Sequence, residues 1–272
     1  MSEKKTMKQF EELEYRDDFM FGKVMEDPDL CHDVLECLLE RPIGKLKEVQ
    51  TQKEYHYTSE GRSIRMDVYN EEENGSIYDA EMENLNHRSV ESHMLPKRVR
   101  YYQSLIDSDH LSKNDTYRSL PESTVLFICT FDPFKKGLSR YSFSEMCEED
   151  PTLSLEDGTK KIFLNCTFGG DSVSDDIRNF CHYVMTGEAK NDLTKKINDA
   201  VERGRKNEMW KSDYIKERVI LNDEREAGRE EGRKEELCTR ITEMLSRNKT
   251  PEEIADFCGY PLELVKEVQR KI

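Results

Sequence analysis

The chain has 272 residues, enough for a sizeable core, and a formal net charge of −15. Such an acidic chain has no global positive field to attract nucleic acid, so contact with DNA must use local basic patches or bound cations. No apolar run approaches the roughly 20 residues of a membrane-spanning helix, and residues 1–18 lack the apolar core of a signal peptide. The eight cysteines include no CxxC pair, which disfavours a zinc knuckle or a disulfide framework. We therefore expect a cytoplasmic protein with reduced thiols that does not bind membranes.

The first part of the chain alternates between helical and strand patterns. Residues 18–40 predict two helices that separate at Asp27-Pro28, because apolar residues recur there at helical spacing. A further helix is predicted at residues 88–108, with Pro96 as a kink or a new start. Strands are predicted at residues 45–58, 64–69, 77–83, 124–131, 138–143 and 161–166. Strands interleaved with helices are typical of an α/β or α+β domain.

The composition changes after residue 186 and again after residue 237. Residues 1–186 are predicted to form the α/β domain, and residues 187–237 are dominated by charges and helix formers, which predicts a charged helical connector. Residues 238–272 condense into three short helical patterns, and Thr250-Pro251-Glu252-Glu253 is a capping box with proline at the first helical position. This last segment is predicted to be a small helical domain that resembles a helix-turn-helix.

Acidic residues recur on one face of two successive strands. Asp67 lies in the first strand, and Glu81 and Glu83 flank Met82 in the second. Side chains alternate between the faces of a strand, so the apolar faces meet the core together only if paired residue numbers have an even sum. A three-residue loop, Glu73-Asn74-Gly75 with Gly75 in the left-handed region, gives that register and pairs Asp67 with Glu81. A two-residue turn at Asn74-Gly75 would instead split the apolar face.

Two acids that face each other across antiparallel strands have Cβ atoms about 5 Å apart and repel each other. A hard divalent cation would remove that conflict, since Mg²⁺ favours one or two carboxylates together with waters and phosphate oxygens. The alternative is an exposed sheet face on which the acids point into water. The alternation by itself leaves both interpretations open.

The pattern D-x(13)-E-x-E on a β-hairpin followed by a helix resembles the active site of the PD-(D/E)xK nuclease superfamily. Three blocks in order resemble, more specifically, its recombination-promoting nuclease (Rpn) family, also described as transposases. These blocks are IRMDVYNEEENGSIYDAEMEN (64–84), LPKRVRYYQSLID (95–107) and VLFICTFDPF (125–134). The resemblance covers roughly residues 10–170 and implies an α/β fold, a restriction-endonuclease-like mixed sheet flanked by helices. An all-α C-terminal extension would follow it.

The resemblance also implies a reaction and its residues. Asp67, Glu81 and the backbone carbonyl of Met82 would bind Mg²⁺ or Mn²⁺, and a metal-activated water would attack a phosphodiester of double-stranded DNA. Such an endonuclease would act in recombination, in mobile elements or in phage defence. The third motif position is normally Lys, or Gln in the Rpn branch, whereas this chain has Glu83. Glu83 could bind a second metal, act as a base, or indicate a weakened enzyme.

Further charged residues are candidates for roles around this site. On the predicted helix after the hairpin, Lys97, Arg98 and Arg100 are candidates for phosphate contact or for a relocated positive charge. On the early helix, Glu36 or Glu40 could approach the metal, although each is more simply interpreted as a surface acid.

The predicted C-terminal helices allow two functional hypotheses for the whole chain. As an enzyme, the chain would be a Mg²⁺-dependent DNA endonuclease that forms a homodimer through these helices, because the segment has few apolar residues to bury alone. As an interaction module, it would be a nuclease-like fold that has lost cutting and is retained for oligomerisation or DNA binding.

Overall fold

A computed structural model describes residues 8–55, 64–84, 94–167 and 173–272. The chain divides into two compact units, Met1–Lys211 and Ser212–Ile272. The boundary lies inside a long helix, whereas the sequence placed boundaries at residues 186 and 237. No helix in the described ranges is both long and apolar enough to cross a membrane.

Six strands form one mixed sheet within the described part of the first unit. They are β1 (Leu46–Tyr55), β2 (Ile64–Glu72), β3 (Ile77–Glu83), β4 (Ser123–Cys129), β5 (Arg140–Phe143) and β6 (Thr159–Asn165). Their order is β1-β2-β3-β4-β6-β5, with β3, β4 and β6 parallel and the remaining neighbours antiparallel. β4 lies between two parallel strands and is buried throughout, which explains its continuous apolar sequence.

The helices of the described ranges begin or end at the predicted positions where the sequence has strong capping signals. They are α1 (Asp18–Met25), α2 (Pro28–Leu39), α3 (Leu95–His110), α4 (Asp175–Thr186), α5 (Asp192–Gly204), α6 (Glu208–Ser246), α7 (Pro251–Cys258) and α8 (Leu262–Lys271). Asp27 caps α2 by accepting hydrogen bonds from the backbone N–H groups of Asp29 and Leu30, and Pro28 follows at the first helical position. The predicted separation at Asp27-Pro28 is confirmed. Parts of the strand predicted at 45–58 and the helix predicted at 88–108 lie outside the described residues.

The β2–β3 hairpin has the register that the even-sum argument requires. Val68 pairs with Ala80 and Glu71 with Ile77, so each pair of residue numbers sums to 148, as Asp67 and Glu81 also do. The turn contains the three residues Glu73-Asn74-Gly75, with Gly75 at a φ of 92°. The prediction of a three-residue loop is therefore confirmed.

Both faces of the sheet are covered in its central strands. One face carries Val125, Phe127 and Phe163, and α3 packs on it through Val99 and Ile106 and their neighbours. The other face contacts α2, where the Cys31 thiol donates to the side-chain oxygen of Asn70 over 3.3 Å. Two layers of helices around a mixed sheet confirm the predicted α/β fold class.

The second unit is all α-helical, as predicted for the C-terminal extension. Ile241 of α6, Ile254 of α7 and two residues of α8, Val265 and Val268, form a small buried cluster. Thr250 accepts a hydrogen bond from the Glu253 backbone N–H, and the Glu253 carboxylate accepts one from the Thr250 backbone N–H. The predicted capping box is confirmed, and it begins α7 at Pro251.

Candidate active site

The predicted acids lie where the β2–β3 ladder ends. The backbone N–H of Asp67 donates to Oε1 of Glu81 over 2.7 Å, and the backbone N–H of Met82 donates to Oδ2 of Asp67 over 3.0 Å. In each of these two hydrogen bonds a backbone N–H group donates to a carboxylate of the opposite strand, so the pair is crossed. They take the place of the backbone hydrogen bonds that would continue the ladder between the strands. They fix the two carboxylates side by side, as the register predicts. Asp67 is partly exposed, whereas Glu81 is buried.

The acid face is not open to water. In the parallel register Asp79 pairs with Val125 and Glu81 with Phe127, so the acids share the face that α3 covers. The Glu81 side chain is only 3% exposed. For Glu81 the interpretation as a residue on a solvated sheet face is therefore wrong, because α3 packs across β3, whereas Asp67 and Glu83 are partly exposed.

Asp79 extends this acidic group into the core. It lies two residues before Glu81 on the same face, is 0% exposed, and neither of its carboxyl oxygens has a hydrogen-bond partner among the described residues. A buried polar group without a partner costs free energy, so it is rare unless something else requires it. Asp79 is not among the residues predicted for the site, although the alternation of side chains along β3 puts it on the same face as Glu81.

Burial of the carboxyl groups and their mutual repulsion perturb the ionisation of Asp67, Asp79 and Glu81. Burial raises the pKa of Asp67, and the charges of Glu81 and Asp18 raise it further. Burial likewise raises the pKa of Asp79, with a contribution from Asp67, and the pKa of Glu81, with a contribution from Asp79. Each acid makes ionisation of the next one less favourable. The cluster therefore has an excess of negative charge that a bound cation would relieve.

An acid of the early helices does approach this group, but it is not one of the predicted ones. Asp18, in the first turn of α1, acts on the Asp67 carboxyl. Glu36 instead accepts a hydrogen bond from the Ile43 backbone N–H, and Glu40 forms an ion pair with Arg140. Both line a separate acidic cleft between α2, α4 and α5. Sequence reasoning missed Asp18 because an acid in the first turn of a helix is an ordinary end signal.

One predicted basic residue turns inward toward the acids. Nη1 of Arg98 lies 2.5 Å from Oε2 of Glu83, and Nη2 lies 3.3 Å from Oε2 of Glu81. Nη2 also donates to the Tyr102 hydroxyl over 3.2 Å, and the guanidinium lies over the rings of Tyr102 and Phe127. Burial lowers the pKa of Arg98, but the contributions of Tyr102, Glu83 and Glu81 outweigh it and the net shift is upward. Arg98 is therefore a fixed positive charge at the edge of the acidic cluster.

Lys97 and Arg100 have a different environment from Arg98. Both are exposed on α3, one position before and two positions after the inward-facing arginine. Each residue of a helix is rotated by about 100° from the one before, so Lys97 and Arg100 point away from the inner side on which Arg98 lies. Tyr102 is one turn after Arg98 and lies on that inner side. Of the three predicted basic residues, only Arg98 contacts the predicted acids in the described structure.

Among the described residues, no three His, Cys, Asp or Glu side chains converge as a ready set of metal ligands. The predicted set is of another kind, because it combines the Asp67 and Glu81 carboxylates with the Met82 backbone carbonyl. Mg²⁺ and Mn²⁺ prefer oxygen ligands, and Mg²⁺ usually keeps several waters. The oxygens of Asp79 have no hydrogen-bond partner among the described residues, and two further acids lie beside it, so ionised carboxylates here would be stabilised by a bound cation. The residues present therefore fit a hard divalent cation.

The part of the chain that contains these acids matches a known protein family. A family model described as a PD-(D/E)XK nuclease family transposase matches residues 15–170, which include all six strands and α1 to α3. Comparisons with the curated proteins and with the solved structures give no significant match. The family match thus covers the acidic cluster and the helix that lies across it.

Proposed function

Because the chain belongs to the PD-(D/E)XK nuclease family of transposases, we propose that it is a metal-dependent endonuclease acting on double-stranded DNA. The observation that carries this proposal is the crossed pair of hydrogen bonds between Asp67 and the Glu81–Met82 segment. The pair holds two carboxylates side by side where the ladder between β2 and β3 ends, with Asp67 partly exposed. A role in recombination, in mobile elements or in phage defence is part of the proposal.

Asp67, Glu81 and the backbone carbonyl of Met82 would hold Mg²⁺ or Mn²⁺. When bound, the cation supplies a water of lowered pKa and neutralises charge on the phosphoryl oxygens. The chain contributes orientation, because the backbone N–H groups of Met82 and Asp67 each fix one carboxylate oxygen. Asp67 Oδ1 and Glu81 Oε2 are the oxygens that this crossed pair does not use. They are the atoms we assign to the cation.

The exposed basic residues of α3 are candidates for contacts with DNA phosphates, which the net negative charge of the chain would not attract. Lys97 and Arg100 lie on the helix that covers the acids, so we assign them to backbone phosphates of the DNA. The proposal also includes a homodimer through the C-terminal helices. Two sites held together could cut both strands of a duplex, whereas one site cuts one strand at a time.

The test is plasmid cleavage with Mg²⁺ or Mn²⁺. Wild type is expected to nick or linearise supercoiled plasmid, and Asp67→Asn is expected to reduce this to the level of a reaction containing EDTA. Glu148→Gln, which changes an exposed acid of the first unit, is the matched control and should cleave like wild type. Cleavage that persists in Asp67→Asn would show that the acidic pair is not the active site.

One observation favours a second candidate function. Glu83 and Glu81 are already paired with the positive charge of one side chain, because the Arg98 guanidinium contacts both carboxylates. A protein whose site is neutralised in this way could be an interaction module that binds DNA or oligomerises without cutting. Failure to nick with either metal, together with retained binding of duplex DNA in a mobility-shift experiment, would support this second function.

A further inference from the structure

Glu83 is an acid at a position next to the proposed metal ligands, where a positive charge would assist attack on a phosphate. An acid cannot stabilise the negative charge that develops on the phosphoryl oxygens, whereas a fixed cation can. The structure supplies the cation from another element. The Arg98 guanidinium reaches from α3 to β3 and lies between Glu83 and Glu81.

The contacts of Arg98 leave part of its hydrogen-bonding capacity available. A guanidinium has five N–H donors. In the described structure Nη1 makes one bond, to Glu83, and Nη2 makes two, to Glu81 and the Tyr102 hydroxyl. The Nε–H group and the second Nη1–H have no acceptor among the described residues. The side chain is 31% exposed, so an anion from solvent can reach it.

We propose that Glu83 and Arg98 act as one unit, in which Glu83 is a positioning residue and Arg98 donates to the scissile phosphate. This inference rests on the proposed nuclease function and deepens it. Glu83 holds the guanidinium by a 2.5 Å contact, and the rings of Tyr102 and Phe127 support its plane. The pair has no net charge, but it directs the N–H donors of a guanidinium to a position beside Glu81 without a basic residue on the strand.

The same geometry has a consequence for metal binding. Nη2 of Arg98 contacts Oε2 of Glu81, the oxygen assigned above to the cation. The guanidinium and a divalent cation repel each other and compete for that oxygen. Removal of Arg98 should therefore strengthen metal binding and weaken cleavage. A merely structural role would weaken both, because a disturbed site loses its ligands as well as its activity.

The experiment measures the two properties separately in the full chain. Isothermal titration with Mn²⁺ alone gives the affinity, and plasmid nicking at saturating Mn²⁺ gives the rate. For Arg98→Gln we expect Mn²⁺ affinity to increase about tenfold and nicking to slow by about 100-fold. Arg118→Gln, which changes an exposed arginine of the same unit, is the matched control and should leave both values unchanged.

A second variant tests whether a cationic donor beside Glu81 is sufficient, whichever element supplies it. The double substitution Glu83→Lys with Arg98→Gln puts an ammonium on β3 beside Glu81 and removes the guanidinium from α3. It should recover at least tenfold of the nicking rate lost in Arg98→Gln, which no structural role of Arg98 predicts. If Arg98→Gln fails to fold, as judged by its thermal midpoint, Arg98→Lys replaces it. A lysine keeps the charge but cannot span two carboxylates, so nicking should fall while folding is retained.

The outcomes separate this inference from the function on which it rests. Wild type that neither binds Mn²⁺ nor nicks plasmid would overturn the proposed function and this inference together. If wild type binds and nicks, an Arg98→Gln protein with unchanged or weaker Mn²⁺ affinity overturns the inference alone. Failure of the double variant to recover nicking in the presence of bound Mn²⁺ overturns it as well.

Discussion

Asp79 is the residue at which the fold conflicts most with local energetics. A carboxyl group that is fully buried and lacks a hydrogen-bond partner destabilises the native state by roughly 1–3 kcal/mol. Burial raises the pKa of Asp79 and Asp67 raises it further, and the positive charges of Arg98 and Lys53 do not compensate for this. Natural proteins break such rules mainly at functional sites. The position of Asp79 therefore supports a role for this face beyond packing.

Replacing Asp79 by asparagine should stabilise the metal-free protein. Asn is nearly isosteric, removes one negative charge, and gains an N–H₂ donor that can reach the Glu81 carboxylate. We expect the thermal midpoint at neutral pH in EDTA to rise by a few degrees, corresponding to about 1–2 kcal/mol. Glu148→Gln, an exposed acid, is the control and should leave the midpoint unchanged. A midpoint that falls would show that Asp79 has a stabilising partner in solution.

At this scale the sequence predicts which residues share a face but not which side chains meet. Alternation placed Asp67, Glu81 and Glu83 together, and the structure joins Asp67 to the Glu81–Met82 segment by hydrogen bonds. The ladder itself ends at Val68–Ala80, and Met66 packs with Tyr69 in the cluster under α3, so strict alternation does not continue through Asp67. The approach of Asp18 and the inward turn of Arg98 depend on how α1 and α3 pack on the sheet. Those contacts join residues that are distant in sequence, and no local pattern encodes them.

The β2–β3 hairpin is the element that sets the geometry of the site. A shift of register by one residue moves every side chain of a strand to the other face. The three-residue turn therefore decides whether Asp67 meets Glu81 or Met82. Gly75 permits this turn because its φ of 92° lies where residues with a Cβ atom are strained.

Gly75→Ala should destabilise the protein through backbone strain alone. A Cβ atom at Gly75 would meet no atom within 4 Å, so no clash contributes. We expect a loss of about 1 kcal/mol in the free energy of unfolding, measured by urea denaturation. Gly22→Ala is the matched control, because Gly22 lies inside α1 and its Cβ would make ordinary contacts at 3.9 to 4.0 Å. That change should be neutral or stabilising by up to about 1 kcal/mol.

The turn after β4 is a second element with a specific electrostatic basis. The Asp132 carboxylate accepts hydrogen bonds from the Tyr141 hydroxyl and from the backbone N–H groups of Phe134, Lys135 and Gly137. Burial alone would raise the pKa of Asp132, but these hydrogen bonds outweigh it and lower the pKa. The sequence DPFKKG predicts a turn here, and the structure shows what holds it.

The contribution of Asp132 to stability should depend on pH. Its folded-state pKa lies below the unfolded value of about 3.9, so the contribution is present above that value and is lost as pH falls through the folded-state pKa. Asp132→Ala should cost about 1–2 kcal/mol at pH 7 and less at pH 3. Asp132→Asn is the control, because it lacks the carboxylate charge at every pH. As the pH falls, the thermal midpoint of wild type should approach that of Asp132→Asn. A difference between wild type and Asp132→Ala that is constant from pH 7 to pH 3 would contradict the assignment.

Strands were easier to predict than the helices that follow residue 186. Continuous apolar runs and alternation located β3 and β4 to within two residues. Charged composition suggested a connector over residues 187–237, yet α5 packs against α1, α2 and α4 within the first unit. Ile197 and Val201 form the buried side of α5, and charges on the other positions hide this stripe in the average composition.

At the scale of the whole molecule, the packing of the second unit changes the argument for a dimer. The sequence suggested that five apolar residues of the tail pack against a second copy or against the body of the protein, namely Leu245, Ile254, Phe257, Leu264 and Val268. Four of them belong to the cluster that the unit forms by itself, namely Leu245, Ile254, Leu264 and Val268. Phe257 does not, and it is 87% exposed. The proposed contact between copies is therefore reduced to the surface around Phe257.

Phe257→Ser tests that contact without removing the core of the second unit. If the C-terminal helices join two copies, loss of this exposed ring should lower the molar mass measured by light scattering toward that of one chain. The same variant should shift plasmid products from double-strand breaks to nicks, because each site would then act alone. Tyr117→Ser is the control, since Tyr117 is 83% exposed in the first unit and lies outside the proposed contact. An unchanged mass in Phe257→Ser, with wild type shown to be a dimer, would exclude this surface as the dimer contact. The helix-turn-helix-like unit would then be available to bind a DNA groove. Comparing the binding of duplex DNA by purified Phe257→Ser and by wild type tests this directly.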